Sequence, residues 1–233
     1  MKRLLHLILF MSIFTTAFSQ FNERLFGQVG GTLGADIMMS EGEMGIKKIP
    51  FKSTNVNYAT IMFAGRMNFL EFSNDLAMSL GLQPTLSVGR AYNKQGGGGN
   101  ISFRMPLVVE VNFNSASTVS TRKRTGFSIG GGVQYIIYPL SAKSVPVAKP
   151  DLHTGSEYLG IKASWFEPVL VTGVKFLGKH YFAREINLRV SYANISEIGN
   201  DHFEGNKKDT RNNNMHNFTS LGVTLSFLQY INY

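Results

Sequence analysis

Apolar and polar residues alternate along most of this chain with a period of two. In the first such segment, the odd positions from Leu25 to Met39 carry apolar or small side chains, while Gln28, Thr32 and Asp36 stand at even positions. Successive side chains of a β-strand point to opposite faces, so this pattern predicts a strand. The alternation returns seven times, which predicts eight strands near residues 25–39, 57–69, 76–88, 101–113, 127–137, 159–165, 182–192 and 221–227.

The connections between these strands differ in length in an ordered way. We expect long connections at Ser40–Asn55, Gly89–Asn100, Ser141–Glu157 and Asn194–Asn217, and short ones at Glu71–Asp75 and Gly178–His180. Transmembrane barrels combine short periplasmic turns with longer extracellular loops, and bacterial barrels have an even number of strands. The order therefore predicts that both chain ends are periplasmic. Asn114–Gly126 is the exception, because a short turn is expected there; its Ser, Thr and Arg content predicts a solvated loop.

A soluble β-sandwich or a lipocalin-like barrel also shows alternation, with its apolar face turned inward. Three features favour the membrane barrel. The polar face is rich in Gly, Ser, Thr and Asn, and the predicted strands reach lengths above the usual ~5–6 residues. A third is an aromatic girdle, since aromatic side chains lie mostly near predicted strand ends: Tyr58, Tyr135, Tyr138, Trp165, Tyr181, Tyr192 and Tyr230.

Prolines argue against a regular closed sheet. Pro84 and Pro106 fall inside predicted strands, where a closed sheet has no free edge to accommodate a missing donor. Each marks a bulge, a wrong strand boundary or an opening of the sheet. Glu167-Pro168 interrupts the alternation of the sixth strand, and apolar residues resume on the other parity; a bulge at Pro168 would explain the switch.

The chain ends in an alternating strand with aromatic residues at and near its last position, Tyr233. In this respect it resembles the small outer-membrane β-barrel proteins of Gram-negative bacteria, whose last strand commonly finishes in an aromatic residue that the insertion machinery reads. The resemblance covers the whole pattern of alternation. It implies an all-β fold, an eight-stranded antiparallel up-and-down transmembrane β-barrel in the cell outer membrane.

The N-terminal residues predict export. Lys2 and Arg3 precede an apolar run at residues 4–14, and small and polar residues follow to Ser19, which is the layout of a cleavable signal peptide. We therefore expect a signal peptide at 1–19 and a single barrel domain at 20–233. The apolar run is shorter than the roughly 20 residues of a spanning helix. The chain contains no cysteine, so neither a disulfide framework nor a lipoprotein anchor is expected.

The net charge of +8 falls to about +6 when Lys2 and Arg3 are removed. The basic residues are dispersed, with one tight cluster at Arg122–Arg124, and no helix or aromatic platform near it is suited to nucleic acid. We therefore expect no nucleic-acid partner. The predicted partners are outer-membrane lipid and lipopolysaccharide, together with other outer-membrane or periplasmic proteins.

Charged residues also fall on the polar face, which a barrel turns inward. The predicted lumen charge network consists of Asp36, Arg66, Arg104, Glu110, Lys162, Glu185 and Arg189. Eight strands leave an interior that side chains just fill, so these charges must pair or stay hydrated. A plugged lumen with a structural ion-pair network is the favoured interpretation. A polar pathway or small-solute site is the alternative, and residue spacing does not separate the two.

No catalytic, cofactor or metal residues are predicted. His153, His180, His202 and His216 lie in or beside connections without a nucleophile or ligand at suitable spacing. Gly96–Gly99 lacks the Lys-Ser/Thr of a phosphate-binding loop and is expected to be a flexible loop. The leading hypothesis is a non-enzymatic structural or accessory protein, as a subunit of a larger secretion or uptake assembly. The alternatives are a barrel enzyme acting on lipid A or peptides, and a soluble periplasmic β-domain that binds a ligand. Ser40–Asn55 and the last long loop are the candidate docking segments.

Overall fold

The computed structural model describes residues 24–44, 48–93, 96–141, 160–178, 182–198 and 215–231, with side chains left out at 34, 35, 44, 49, 93, 96–98, 138–141 and 160–163. This part of the chain is almost entirely β-strand. The strands are β1 (Leu25–Met44), β2 (Ile49–Ser73), β3 (Leu76–Leu82), β4 (Thr85–Asn93), β5 (Gly96–Asn114), β6 (Thr125–Ser141), β7 (Gly160–Leu177), β8 (Ala183–Ile198) and β9 (Met215–Tyr230). Within the described residues, no helix has the length and apolarity needed to cross a membrane.

The strands form one closed antiparallel sheet. Strands that are adjacent in the chain pair with each other, except β3 with β4, and β1 pairs with both β2 and β9, which closes the ring. β3 and β4 both pair with β2 on one side and β5 on the other, so together they make one wall position. The result is the predicted eight-stranded up-and-down barrel.

The interruption between β3 and β4 falls at Gln83-Pro84 and inserts no extra residue. Leu82 pairs with Leu107 and Thr85 pairs with Arg104, so the distance along the chain between the two pairs is the same on the β3–β4 side and on β5. Backbone bonds continue through the break: the Gln83 N–H donates to the Pro106 carbonyl at 3.1 Å, and the Phe63 N–H donates to the Pro84 carbonyl at 3.1 Å. Pro84 therefore breaks the strand without a bulge and without opening the sheet.

Pro106 stands opposite Gln83 and leaves one acceptor without its usual donor. In a regular antiparallel pair Pro106 would donate back to Gln83, but proline has no N–H. The Thr85 hydroxyl donates to the Gln83 carbonyl instead, at 2.9 Å. β5 therefore runs through Pro106 unbroken.

The predicted bulge at Pro168 is wrong. β6 and β7 pair residue for residue from Thr125–Phe176 to Ser141–Gly160. Phe166 and Leu170, on either side of the proline, both stand at even positions and face outward, with 68% and 69% of their surface exposed. Trp165 is 4% exposed and points inward. The apparent switch came from assigning Trp165 to the outer face.

A bulge is present on β2 instead. Asn57 pairs with Gly89 and Ala59 with Val88, so Tyr58 is the extra residue. Tyr58 and Ala59 both face outward as a result. A second register shift separates Gly30 from Asp36 in the glycine-rich part of β1.

Two of the connections expected to be long are strand instead. β1 and β2 continue to the pair Met44–Ile49, and β4 and β5 continue to the pair Asn93–Gly96. Ser40–Asn55 and Gly89–Asn100 are therefore mostly hairpin, and the glycine run expected to be a loop is part of the β4–β5 ladder. The other predicted long connections fall largely on 142–159 and 199–214, outside the described residues.

The two ends of the barrel differ in the chain termini and connections that they hold. The terminus end holds Leu25, Tyr230 and the connection 115–124 between β5 and β6. The far end holds the β1–β2 and β4–β5 hairpins. Between β7 and β8, the ladder starts at Leu177–Ala183 near the terminus end and stops at Val169–Ser191. We call the part of this boundary beyond Val169 and Ser191 the seam.

Candidate functional site

The lumen is the place where this fold collects its charged side chains. Among the described residues, four acidic and four basic side chains are buried on the inner face: Asp36, Glu110, Glu167, Glu185, Arg66, Arg104, Lys175 and Arg189. Six of the seven residues predicted for a lumen network are among them. Lys162 lies on the part of β7 whose side chains fall outside the described residues.

Asp36 and Arg104 form an ion pair in the middle of the lumen. Both oxygens of the Asp36 carboxylate accept further bonds at 2.8 Å, Oδ2 from the Asn57 amide and Oδ1 from the Thr224 hydroxyl. The Arg104 guanidinium donates to the Thr224 oxygen at 3.0 Å. A carboxylate so fully bonded within the protein is held in place by it.

A neutral amide connects the next two charges. The Arg189 guanidinium donates to Oε1 of Gln83 at 3.0 Å, and Nε2 of Gln83 donates to Glu110 at 3.3 Å. Gln83 is the inward residue of the break between β3 and β4. The interruption at Pro84 thus lies beside the Gln83 amide, which is hydrogen-bonded to both a buried cation and a buried anion.

A denser cluster lies toward the terminus end. Arg66 donates to Oδ1 of Asn112 at 2.8 Å and to the Tyr230 oxygen at 3.0 Å, and the Tyr230 hydroxyl donates to Glu185 at 2.8 Å. Lys175 donates to the same Asn112 oxygen. The Arg66 guanidinium also lies 4.4 Å from the centre of the Phe26 ring, a cation–π distance.

Glycines on the inner face make room for these carboxylates. A Cβ on Gly173 would lie 2.7 Å from the Ser128 hydroxyl oxygen and closer still to the Glu185 carboxylate, while a Cβ on Gly130 would lie 2.7 Å from Cγ of Glu110. Real Cβ atoms do not approach so closely. The glycines of the lumen therefore accommodate charged side chains rather than widening a channel.

The connection 115–124 closes the terminus end. Ser115, Ala116, Ser117 and Thr118 are buried, so the prediction of a solvated loop is wrong for this part. Arg66 donates to the Ala116 carbonyl, and Asn68 donates to the Ser117 carbonyl at 2.7 Å. We call residues 115–121 the lid.

The neighbouring turn holds the lid from outside. The Thr118 hydroxyl donates to the Asn74 carbonyl at 2.6 Å, and the Thr121 hydroxyl donates to the Asp75 carboxylate at 2.5 Å. Ala116 has a φ of 54°, which is costly for a residue with a Cβ. The hydroxyl groups that suggested a solvated loop thus donate to the carbonyl and carboxylate groups of the neighbouring turn.

The far end of the lumen is filled by apolar side chains. One buried cluster, which we call the plug, consists of Met38, Ile136, Trp165, Ala193, Ile198, Met215 and Phe218. The Trp165 and Phe218 rings are 4.8 Å apart in an edge-to-face arrangement. Beside the plug, the Glu167 carboxylate accepts bonds from Gln134, Trp165 and Ser220 at 2.6–2.8 Å.

Sequence reasoning missed Glu167, Lys175 and Gln83. The signal for the first two was the even parity of Phe166, Leu170, Val174 and Phe176, which leaves the odd positions from Trp165 to Lys175 inside. Two predicted girdle residues are also corrected: Trp165 and Tyr230 are buried in the lumen. Tyr58 and Tyr192 are exposed on the outer face, and Tyr135 faces outward against Phe166 at 4.9 Å. The Tyr138 and Tyr181 side chains lie outside the described residues.

The outer face is an apolar belt, the reverse of the lumen. On β5 its outward residues run from Ile101 to Phe113 without a charge, and on β8 Arg184 and Asn194 bound an apolar stretch from Ile186 to Tyr192. Exposed large apolar residues occur on every strand. A water-soluble protein rarely exposes so large a continuous apolar surface.

Candidate catalytic groups are sparse in the part of the chain that the structure covers. Among these residues, no three His, Cys, Asp or Glu side chains are grouped as metal ligands. His216 lies half-buried on β9, while His153, His180 and His202 fall outside the described residues. Two open surface cavities lie at the barrel ends, one of about 410 Å³ beside Asn74, Asp75 and Arg122, and one of about 290 Å³ beside Glu41 and Phe51.

Comparison with known proteins adds little to this description. No protein-family model matches the chain, and no curated protein matches it. Among solved structures, the crystal structure of the outer membrane protein OprG from Pseudomonas aeruginosa is similar. The two are 10% identical, with a TM-score of 0.44 and a match covering 90% of this chain and 97% of that one. At this similarity, the barrel fold is established by the strand pairings of the chain itself.

Proposed function

We propose that this chain is an exported integral protein of the Gram-negative outer membrane, with a closed lumen and a non-enzymatic, structural or accessory role. The observation that carries the proposal is the reversed distribution of polarity. Charges and amides are buried inside the barrel, and a charge-free apolar belt covers the outside. Lipid is the surroundings in which this distribution is stable, because the strand ladders of the closed barrel satisfy the backbone groups along most of the belt.

The packed lumen argues against a pore. The four buried acids and four buried bases balance in charge, and neutral side chains such as Gln83, Asn112 and Tyr230 bond to them. An ion pathway would need mobile water or a net field, whereas these groups are bonded to one another. The lid covers one end and the plug fills the other. We therefore favour a structural network over a polar pathway or a small-solute site.

The accessory role is supported by the far end. The β1–β2 and β4–β5 hairpins extend beyond the apolar belt, and exposed charges such as Glu41 and Lys52 lie on the first of them. Segments that project from a rigid barrel are where a binding function can vary. We propose that these hairpins contact other subunits of an outer-membrane secretion or uptake assembly.

Membrane fractionation followed by a gel with and without boiling tests the proposal. A folded barrel enters the outer-membrane fraction, needs detergent for extraction, and migrates differently before and after boiling. Planar-bilayer recordings of the same preparation should show no steady conductance. Recovery in the soluble fraction without a gel shift would contradict the membrane assignment. A stable conductance would contradict the closed lumen.

The accessory role needs its own measurement. Extraction in a mild detergent should give a native-gel species larger than the isolated barrel. Shortening the β1–β2 hairpin to a tight turn, by deleting residues 42–51, should reduce that species to the size of the barrel while preserving the heat-dependent gel shift. A wild-type chain that runs as a lone barrel would contradict the accessory role.

A further inference from the structure

The two ends of the barrel differ in exposed charge. At the terminus end, Arg122, Lys123, Arg124 and Arg184 are exposed, and we call these four residues the basic rim. At the far end, the exposed charges of the described residues are mixed, with Lys48, Lys52 and Arg90 accompanied by Glu41 and Glu197, and Glu43 is half-buried. Only the terminus end therefore presents a concentrated positive charge among the described residues.

The basic rim is continuous across the end of β7. The Leu177 N–H donates to the Arg124 carbonyl at 2.7 Å, which ties the β5–β6 connection to β7. On the other side of β7, Arg184 pairs with Phe176 in the β7–β8 ladder. Arg124 and Arg184 thus flank the same strand end, and Arg122 and Lys123 extend the rim along the connection.

The basic rim lies directly beside the apolar belt. Phe113 and Phe127 stack on the outer face with ring centres 4.3 Å apart. Phe127 follows Arg124 by three residues in the chain. Phe176 on β7 and Phe182, which immediately precedes β8, are also exposed at this end. Aromatic residues of this kind mark the boundary between hydrocarbon and headgroups, so the rim stands at headgroup depth.

Two acids lie near the rim, Asp75 at the surface cavity that Arg122 and Lys123 also line, and Glu71 on β2. Asp75 accepts from the Thr121 hydroxyl at 2.5 Å, and Glu71 accepts from the Asn68 amide at 2.8 Å. The four basic residues therefore outnumber their acidic neighbours and keep a net positive charge toward the bilayer surface.

We propose that the basic rim binds the phosphate groups of anionic phospholipids in the leaflet at the terminus end, with the acyl chains against the phenylalanines above it. The inference rests on the proposed membrane function. Basic side chains near a bilayer surface attract anionic lipids, and the attraction weakens with salt. The bound class is an anionic glycerophospholipid rather than a zwitterionic one.

The test compares lipids that stay with the purified barrel. Wild-type protein is reconstituted in equimolar phosphatidylglycerol and phosphatidylethanolamine, extracted in mild detergent at low salt, and its retained lipids are measured by mass spectrometry. The rim variant carries Arg122→Gln, Lys123→Gln and Arg124→Gln. The matched control removes three positive charges from the far end by Lys48→Gln, Lys52→Gln and Arg90→Gln. A gel shift on boiling shows that each barrel is folded.

We expect wild-type and control barrels to retain more phosphatidylglycerol than phosphatidylethanolamine. In the rim variant, this excess should be smaller by a factor of at least about five. High salt should lower the wild-type excess toward that of the rim variant. A folded wild-type barrel with equal amounts of both lipids, or a control that loses as much as the rim variant, would overturn the inference and leave the proposed function standing. Absence of any gel shift would overturn the proposed function itself.

Discussion

The two halves of the lumen are filled in different ways. Toward the terminus end, Arg66, Lys175 and Glu185 are buried among amides and hydroxyls, and the ladders on both sides of each strand are continuous. Toward the far end, the plug is apolar, and the β7–β8 ladder stops at Val169–Ser191. Most of the described buried charges lie where the wall is complete, with Glu167 as the exception at the seam, and apolar packing is concentrated beside the seam.

This difference has a physical basis. A buried charge is stable only when partners are held at fixed distances, and a continuous ladder fixes them. Beyond Val169–Ser191, the ladder between the described residues of β7 and β8 has no further pairs, and Trp165 packs there with Phe218 and Ala193. The outward residues Asn194 and Ser196 of β8 are polar. On β8, the ladder therefore stops close to the end of the apolar stretch.

The largest effect is expected from separating the central ion pair. Asp36→Asn leaves Arg104 buried beside a neutral side chain, and we expect the free energy of unfolding to fall by about 3–5 kcal/mol. The single tryptophan, Trp165, reports urea unfolding in detergent or lipid by its fluorescence. Asp36→Asn with Arg104→Gln should recover part of the loss. A double variant as unstable as the sum of both single changes would contradict direct pairing.

A smaller effect is expected in the plug. Ile136→Ala removes a fully buried side chain and leaves a cavity, which should cost about 3–4 kcal/mol of unfolding free energy. Ile129→Ala on the outer face of the same strand is the matched control, and lipid chains fill the space it vacates, so we expect about 2 kcal/mol. Equal losses in lipid, by the same fluorescence assay, would indicate that Ile136 is not in a packed interior.

The lid should respond locally. Asn68→Ala removes the bond to the Ser117 carbonyl, which should cost about 1 kcal/mol and raise amide exchange within residues 115–121 by about fivefold. Hydrogen–deuterium exchange resolves this segment from the strands. The control is Asn194→Ala, an exposed amide near the seam. Unchanged exchange in the lid would show that Asn68 does not hold it.

The smallest effect is expected for the exposed ion pair of the far end. Lys52 and Glu41 are 3.3 Å apart but remain 68% and 58% exposed. Replacing both by Gln should change the free energy of unfolding by less than about 0.5 kcal/mol, because water and salt screen the pair. A loss as large as that of Asp36→Asn would contradict the account of burial as the cause of the difference.

The fold was predictable where one face of a strand is apolar. Alternation located all eight wall positions because the outer face and the lumen impose opposite demands on neighbouring residues. It failed at Ser40–Asn55 and Gly89–Asn100, where the hairpins leave the belt and neither face is consistently apolar. Without an apolar environment on one side, a strand has no period-two signal, and these segments looked like loops.

Lumen residues could be predicted only on strands whose odd and even positions were assigned to the correct faces. Asp36 and Arg104 lie on strands with clear alternation, whereas Glu167 and Lys175 were missed because Trp165, an apolar residue, faces the lumen. Pro84 was also ambiguous, since a break with an unchanged register depends on Thr85 satisfying the Gln83 carbonyl. Such a compensation is a three-dimensional contact and leaves no pattern in the chain.

The most direct test of the central claim uses two adjacent positions of β9. The chain has no cysteine, so single Leu225→Cys and Ser226→Cys variants can be labelled cleanly in lipid vesicles. Leu225 is exposed on the outer face and Ser226 is buried in the lumen. We expect Leu225→Cys to react with a membrane-soluble maleimide but not with a charged thiol reagent, and Ser226→Cys to react with neither before denaturation. Rapid modification of folded Leu225→Cys or Ser226→Cys by the charged reagent would contradict a lipid-facing belt or a closed lumen, respectively.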